Sequence, residues 1–209
     1  MHLSDGVMPT TLALGCAAAS LAIAAWSTRR IPERDLPRVA VMTAAFFVAT
    51  LVHVPLGPTS MHLLLPGLVG VLLGPAAFAA IGLGLVLQSL LFQFGGLTAL
   101  GGNALLMGLP ALACGLLFRL GRRLNLRRRI ALAVVCGALG TFGAALLMAL
   151  LLALSGEDFL GVAKLALAAH LPVMVVEAAM TGFIVAFLAR VKPEMLAAPL
   201  PVRELADEY

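Results

Sequence analysis

The sequence predicts an all-α, polytopic membrane protein. Hydrophobic residues make up 62% of its 209 residues and charged residues only 11%, whereas soluble domains carry about a quarter charged residues. No Asp, Glu, Lys or Arg occurs between Arg38 and Arg119, a stretch long enough for several membrane crossings of about 20 residues each. Its apolar runs show no period-two alternation, so transmembrane helices are favoured over a β-barrel.

Proline breaks help to divide the chain into seven predicted spans. As a single helix, residues 61–94 would be about 50 Å long, against a hydrocarbon core of about 30 Å. We therefore predict two helices separated at Gly74-Pro75, because proline removes a backbone donor and disfavours helix at the residue before it.

The last apolar stretch, residues 160–191, is also too long for one perpendicular crossing. We predict a lead-in that ends at His170, followed by a span with Pro172 in its first turn. The whole transmembrane domain covers residues 1–195, and a cytoplasmic tail follows at 196–209. The domain consists of an N-terminal tail at 1–8 and spans at approximately 9–26, 39–54, 61–73, 76–94, 104–118, 130–154 and 171–190.

The distribution of basic residues predicts the orientation of these spans. Of the 14 Lys and Arg residues, 13 lie in three groups, at 29–38, at 119–129 and from 190 onward. An outside N-terminus makes all three groups cytoplasmic and leaves only Lys164 outside, which satisfies the positive-inside rule. The same clustering explains the net charge of +4 without a nucleic-acid partner, since nucleic-acid-binding faces come with a soluble fold and a recognisable motif.

In this orientation all four histidines, His2, His53, His62 and His170, lie towards the outer face.

The amine of Met1, the backbone nitrogen of His2 and the His2 imidazole can close two adjacent chelate rings on a metal ion. A bulky His2 also disfavours removal of Met1. With the imidazole of His62 the set has four nitrogens, which suits Ni(II) or Cu(II) and is usable by Co(II), but not by oxygen-seeking Mg²⁺ or Ca²⁺. The alternative is that His2 is an unbound terminal residue and His62 an interfacial helix-start residue.

Further polar residues are candidates for contact with this site. His53 lies nine residues before His62 and either approaches the same ion or caps the second span. Asp5 either accepts a hydrogen bond from a ligand imidazole, which would fix its tautomer, or is a solvated terminal acid. Asn103 and Gln88 lie near the outer ends of their spans, where Asn103 would line the cavity; helix–helix hydrogen bonding is the simpler explanation of Gln88.

His170 and Glu177 are seven residues apart and therefore lie on one face of the last helix. An ionisable residue inside a span is a functional candidate, here for a role beside the metal site or in translocation. A hydrogen-bonded packing pair is the alternative explanation.

Several of these stretches carry a resemblance to a known family: Met1 to Gly6, His53 to Leu63, Leu91 to Thr98, Gly101 to Asn103, and His170 to Val173. Together they resemble the CbiM/NikM family, the cobalt and nickel substrate-binding membrane subunits of energy-coupling factor transporters. The similarity extends over nearly the whole chain, to about Met195.

The resemblance implies a seven-helix subunit in the inner or plasma membrane of a prokaryotic cell, with its N-terminal tail inserted into an outward cavity. Ni²⁺ or Co²⁺ would be the transported substrate, held by the amine of Met1, the amide and imidazole of His2, and His62. No catalytic cofactor is implied and the chain is not expected to be an enzyme. ATP hydrolysis would occur in two cytosolic partner subunits, joined by a membrane coupling subunit and a small accessory membrane protein.

Two other functions remain open from the residues alone. One is an intramembrane enzyme that uses His53, His170 and Glu177. The other is a secondary metal carrier that needs no partner subunit. The residues also leave nickel and cobalt undistinguished, because nitrogen ligands bind both.

Overall fold

A computed structural model describes residues 2–51, 53–56 and 59–196, with the backbone alone between 53 and 62. Within these residues it contains seven α-helices and one two-stranded hairpin, which confirms the predicted helical membrane class. The helices are α1 (Thr10–Thr28), α2 (Leu36–Leu51), α3 (Pro66–Leu73), α4 (Ala77–Phe92), α5 (Leu100–Leu120), α6 (Leu126–Ser155) and α7 (Leu160–Val191). The antiparallel strands β1 (His53–Leu56) and β2 (Thr59–His62) lie between α2 and α3.

The protein is a multi-pass membrane protein. In the described residues, five stretches are long and apolar enough to cross a bilayer: Thr10–Thr28, Pro66–Phe92, Leu100–Arg123, Leu126–Ser155 and Glu157–Val191. The helix α2 is shorter, at 16 residues, and α3 and α4 together make up one of the five stretches. The number of seven crossings and their orientation therefore stay predictions.

The predicted break at Gly74-Pro75 is present. Helix α3 ends at Leu73, and a 3₁₀ turn over Gly74–Ala76 leads into α4. Gly74 has φ 54° and ψ −122°, a backbone conformation that side chains with a Cβ rarely adopt. A glycine followed by a proline thus ends one helix and starts the next.

Near the hairpin, two helix boundaries differ from the predicted spans. His53 belongs to β1 rather than to the end of the second span, since Pro55 cannot continue a helix and strand pairing gives the backbone its partners. The third span begins at Pro66 rather than at 61, because β2 runs to His62 and Leu65 takes a left-handed conformation, with φ 56°. The apolar composition of residues 61–65 concealed this turn.

Two later boundaries differ as well. Helix α5 begins at Leu100, so Asn103 lies in its first turn rather than in the preceding loop. The predicted lead-in and last span form a single helix of 32 residues, with Pro172 in its interior rather than in its first turn. Pro172 lacks the N–H that would bond to the preceding turn, and the long helix continues past this one missing bond.

Helix α3 forms the centre of the molecule, with all of its residues buried against α5 and α6. Its contact with α6 is made by facing glycines. A Cβ at Gly140 would lie 2.7 Å from the Cα of Gly67, and a Cβ at Gly67 would lie 2.7 Å from the Cα of Gly137. Small residues of this kind let helix backbones approach closely in a membrane protein.

Both ends of α3 are held by ionisable side chains from other helices. At its start, Glu177 of α7 accepts hydrogen bonds from the backbone N–H groups of Leu64 and Leu65. At its end, Arg38 of α2 donates to the carbonyl of Leu72 at 2.5 Å. The N–H groups at a helix start and the C=O groups at its end have no intrahelical partner, so an acceptor at the start and a cationic donor at the end are both favourable.

Candidate metal centre

The N-terminal tail is docked onto the segment that joins α4 to α5. Leu3 is only 2% exposed. Its backbone N–H donates to Asn103 Oδ1 at 2.8 Å, and Asn103 Nδ2 donates back to the Leu3 carbonyl at 3.0 Å. Asn103, a predicted cavity residue, therefore holds the tail backbone immediately after His2.

Asp5 forms a second attachment of the tail. Its Oδ1 accepts hydrogen bonds from Thr98 N at 2.8 Å, Thr98 Oγ1 at 2.5 Å and Ala99 N at 3.3 Å. The Thr98 side-chain bond, assisted by these backbone bonds, holds the pKa of the Asp5 carboxyl below its usual value. The structure thus gives Asp5 partners in the loop, which neither of the two predicted alternatives, a ligand imidazole or solvent, had named.

Two glycines allow this loop to close over the tail. Gly95 and Gly96 have φ values of 80° and 74°. A Cβ at Gly96 would overlap the Asp5 carboxyl, and one at Gly95 would lie 2.7 Å from Asn103 Nδ2 and 3.3 Å from His2 Cδ2. The loop approaches the tail at a distance that only glycine permits.

The imidazole of His2 is half-buried beneath this loop. Its Nε2 lies 3.1 Å from Oε1 of Gln88, a fully buried residue of α4. The ring also stacks on Phe94, with centroids 6.5 Å apart and planes inclined by 28°. The Nδ1 atom of the same ring is the one that would share a chelate ring with the His2 backbone nitrogen.

A chain of hydrogen bonds from α2 favours the tautomer that this chelate needs. Thr50 Oγ1 donates to the Phe46 carbonyl at 2.9 Å, so its oxygen accepts from Gln88 Nε2. Gln88 then presents Oε1 to His2, which places the imidazole hydrogen on Nε2. In a neutral ring this leaves the lone pair on Nδ1, where a metal ion would bind.

The same series of hydrogen bonds leads from the tail towards the hairpin. Thr50 lies near the end of α2, and β1 begins with His53, which is paired in register with His62 of β2. Paired residues of antiparallel strands have Cα atoms about 4.5–5.5 Å apart. The structure therefore brings His2 and the base of the hairpin into one region through Gln88 and Thr50.

The predicted ligand set is only partly within the described residues. Met1 and the side chains of His53 and His62 lie outside them, so the ligand roles of Met1 and His62 stay predictions. In the part of the chain that is described, no group of three or more His, Cys, Asp or Glu side chains could hold a metal ion. A set built from an amine, an amide and two histidines would not form such a group.

His170 and Glu177 have separate partners, although both lie on α7. His170 Nδ1 donates to the carbonyl of Ala166 at 2.7 Å, within its own helix. Glu177 is 1% exposed and accepts from the N-terminal end of α3 and from Thr141 Oγ1, the latter at 2.6 Å. These bonds attach Glu177 to the hairpin side of the molecule rather than to His170.

Over residues 2–195 the chain matches the CbiM family, described as the cobalt uptake substrate-specific transmembrane region. The chain belongs to the CbiM family. This confirms the resemblance seen in the tail, the hairpin and the loop before α5. CbiM is thus a family of transport components, which agrees with the expectation that the chain is not an enzyme.

CbiM relatives match nearly all of the chain. A protein of Haemophilus influenzae named for metal transport is 37% identical over 199 residues, which cover 94% of this chain and 97% of that protein. The cobalt transport protein CbiM of Sorangium cellulosum is 35% identical over 213 residues, covering 94% of each chain. The fused nickel transport protein NikMN of Rhodobacter capsulatus is 34% identical over 227 residues, covering 94% of this chain and 64% of that protein.

Solved structures share the fold of this CbiM chain. A truncated transition metal transporter superposes with a TM-score of 0.79 at 26% identity and covers 91% of this chain and 99% of its own. A second transition metal transporter structure gives the same TM-score at 27% identity.

Around the candidate site of this CbiM chain, sequence reasoning missed Thr50 and named Gln88 only as a candidate for contact. Gln88 was interpreted as a helix–helix hydrogen bond, and it does bind Thr50 of α2, but its other amide atom faces His2. The only available signal was a glutamine in an otherwise apolar span. Nothing local connects it with a histidine 86 residues away in sequence.

Proposed function

We propose that this protein captures Ni²⁺ or Co²⁺ for an energy-coupling factor importer. The ion would be bound by the amine of Met1, the amide and Nδ1 of His2, and the imidazole of His62. The observation that carries the proposal is the docked tail, in which Gln88 accepts from His2 Nε2 and leaves Nδ1 as the basic nitrogen. Such a nitrogen set suits both ions and favours nickel over cobalt in affinity.

The proposed site would open to the outside of the cell. Support comes from the charge distribution, since 13 of the 14 basic residues become cytoplasmic if the N-terminus is outside. The tail contacts the loop before α5, and the Gln88 network leads to the hairpin, so the elements assigned to the outer face are neighbours. Seven crossings, with α3 and α4 as separate elements, are part of the proposal.

Transport would depend on partners. We propose a membrane coupling subunit, two cytosolic ATP-binding subunits and a small accessory membrane protein. The family is described as the substrate-specific part of an uptake system, and this sequence contains no phosphate-binding P-loop of its own, so ATP would be hydrolysed by other subunits. The cytoplasmic ends of the helices are the surfaces nearest to such subunits.

An uptake assay tests this function. Cells without nickel and cobalt uptake of their own would express the chain with its native N-terminus, with or without the coupling and ATP-binding subunits. We expect accumulation of radioactive nickel or cobalt only when all subunits are present and the ATP-binding subunits are active. Accumulation by the chain alone, driven by an ion gradient, would instead establish a secondary carrier.

The Gln88 network makes a separate prediction about affinity. Gln88→Met keeps a side chain of similar volume but removes the acceptor that faces His2, so the imidazole loses the bond that selects its tautomer. We expect nickel binding to weaken about 10–100-fold, as for other groups that orient metal ligands. Isothermal titration of the purified protein measures this loss.

Thr50 provides matched controls for that experiment. Thr50→Val removes the hydroxyl that orients Gln88 and should weaken binding in the same direction, whereas Thr50→Ser keeps the hydroxyl and should bind normally. Equal affinities for the Gln88→Met variant and the unmodified chain would show that the network does not support the site.

A further inference from the structure

Glu177 is a carboxyl group deep inside the helix bundle, and the site described above gives it no role as a ligand. It lies in the middle of α7 and is 1% exposed. Its Oε1 accepts from the backbone N–H groups of Leu64 and Leu65, and its Oε2 accepts from Thr141 Oγ1 of α6 at 2.6 Å. One side chain therefore joins α6, α7 and the segment that enters α3.

The two backbone donors cannot obtain partners from α3 itself. They precede Pro66, the first residue of the helix, and N–H groups at a helix start have no intrahelical acceptor. The turn is also conformationally unusual, because Leu65 is a leucine with φ 56°. A bulky L-residue stays in that region only when its surroundings hold it there, and the Glu177 bond to Leu65 N, 3.0 Å long, is one such restraint.

These donors immediately follow the predicted metal ligand in the hairpin. His62 is the last residue of β2, and Leu64, the first residue bound to Glu177, is two residues further along. On its other side, His62 is restrained by pairing with His53. The backbone of His62 is thus held between a strand pair and a carboxyl anchor.

We propose that Glu177 is a positioning residue for His62, which fixes the turn after β2 so that the imidazole reaches the metal held by the tail. This inference rests on the proposed function, because it assumes that His62 is a ligand. Glu177 does not touch the metal itself; it acts through the backbone of Leu64 and Leu65. Its removal would leave the two buried backbone donors of Leu64 and Leu65 without their acceptor and would release the turn.

The hydrogen-bond pattern also identifies a conservative replacement. In Glu177→Gln the amide oxygen can still accept from Leu64 and Leu65, while the amide nitrogen faces Thr141. The Thr141 hydroxyl can then accept from that nitrogen and donate to the Gly137 carbonyl, which lies 3.2 Å away. Glutamine should therefore restore the position of His62, whereas alanine should not.

The test is a double-mutant cycle between Glu177 and His62, read by isothermal titration with Ni²⁺ and by the visible absorption of the bound ion. The full chain with its native N-terminus is used throughout. We expect Glu177→Ala to weaken nickel binding about 10–100-fold, with an absorption spectrum like that of His62→Ala, and Glu177→Gln to bind like the unmodified chain. In a His62→Ala background, Glu177→Ala should cause no further loss.

Two further variants complete the design. Thr141→Val removes one bond to Glu177 and perturbs the bundle less, so it should show a smaller loss that also disappears in the His62→Ala background. Thr141→Val replaces Glu177→Ala in the double-mutant cycle if the Glu177→Ala variant does not fold. Glu157→Ala, at an exposed acidic residue outside α7, is the matched control and should bind normally.

The outcomes separate the inference from the proposed function. If His62→Ala binds nickel as tightly as the unmodified chain, the proposed ligand set fails whatever Glu177 does. If His62→Ala weakens binding but the losses from Glu177 and His62 simply multiply, Glu177 stabilises the bundle and does not position His62. Unchanged affinity and spectrum in Glu177→Ala would overturn the inference as well.

Discussion

Addition of two glycines before Met1 should abolish high-affinity nickel binding. The extension converts the Met1 amine into an amide, which has no basic lone pair, and it separates the terminal amine from the His2 nitrogens. The docked tail would persist, because Leu3 and Asp5 hold it through their bonds to Asn103, Thr98 and Ala99. We expect Kd to rise more than about 100-fold, beyond the loss typical of residues that only support a ligand.

Isothermal titration of protein purified with a C-terminal tag measures that change. Addition of two glycines at the C-terminus is the matched control and should leave the affinity intact. His2→Ala should reproduce the loss, since it removes the imidazole that Gln88 orients. An N-terminally extended chain that binds nickel as tightly as the unmodified one would contradict the four-nitrogen site.

Gly140→Ala should destabilise the protein strongly. The added Cβ would overlap the backbone nitrogen of Gly67 and lie 2.7 Å from its Cα. Backbone lies on both sides of this contact, so no flexible side chain can move aside, and α3 and α6 must separate. Overpacking of a core commonly costs about 1–3 kcal/mol, and a backbone overlap falls at the upper end of that range or above it.

Thermal unfolding in detergent measures this second effect. Gly82→Ala is the matched control, since a Cβ at Gly82 of α4 would meet no atom within 4 Å. Its unfolding midpoint should be unchanged or slightly higher, because alanine favours helix over glycine. Equal midpoints for the two variants would show that the glycine contact between α3 and α6 is not a stabilising close approach.

Features that depend on local chemistry or on the bilayer could be predicted from the sequence. The membrane class follows from hydrophobicity, and the break after α3 follows from Gly74-Pro75, because the effect of proline on its neighbours is local. The start of α3 could not be found in this way. Residues 61–65 are apolar and resemble the start of a span, while their turn depends on Glu177, more than a hundred residues further along.

The candidate site shows the same division. His2 was found because its chelating chemistry is carried by adjacent atoms. The hydrogen bond of Gln88 to His2 was not predicted, since a glutamine in a span can bond to any neighbouring helix and only the folded chain selects one. For Asp5 the sequence offered a ligand imidazole or solvent as partner, whereas the loop supplies Thr98 and Ala99.

The hydrogen bonds that Glu177 and Arg38 make at the two ends of α3 limit how the protein can move. Glu177 holds one end and Arg38 the other, and an eight-residue helix is only about 12 Å long. A shift of α3 along its axis by one turn would separate both side chains from their backbone partners in an apolar interior, and leaving these polar groups unpaired there is costly. Helix α3 should therefore keep its position along its own axis during a transport cycle. Opening and closing would then be confined to parts attached by neutral or exposed contacts, above all the N-terminal tail and the loop that covers it.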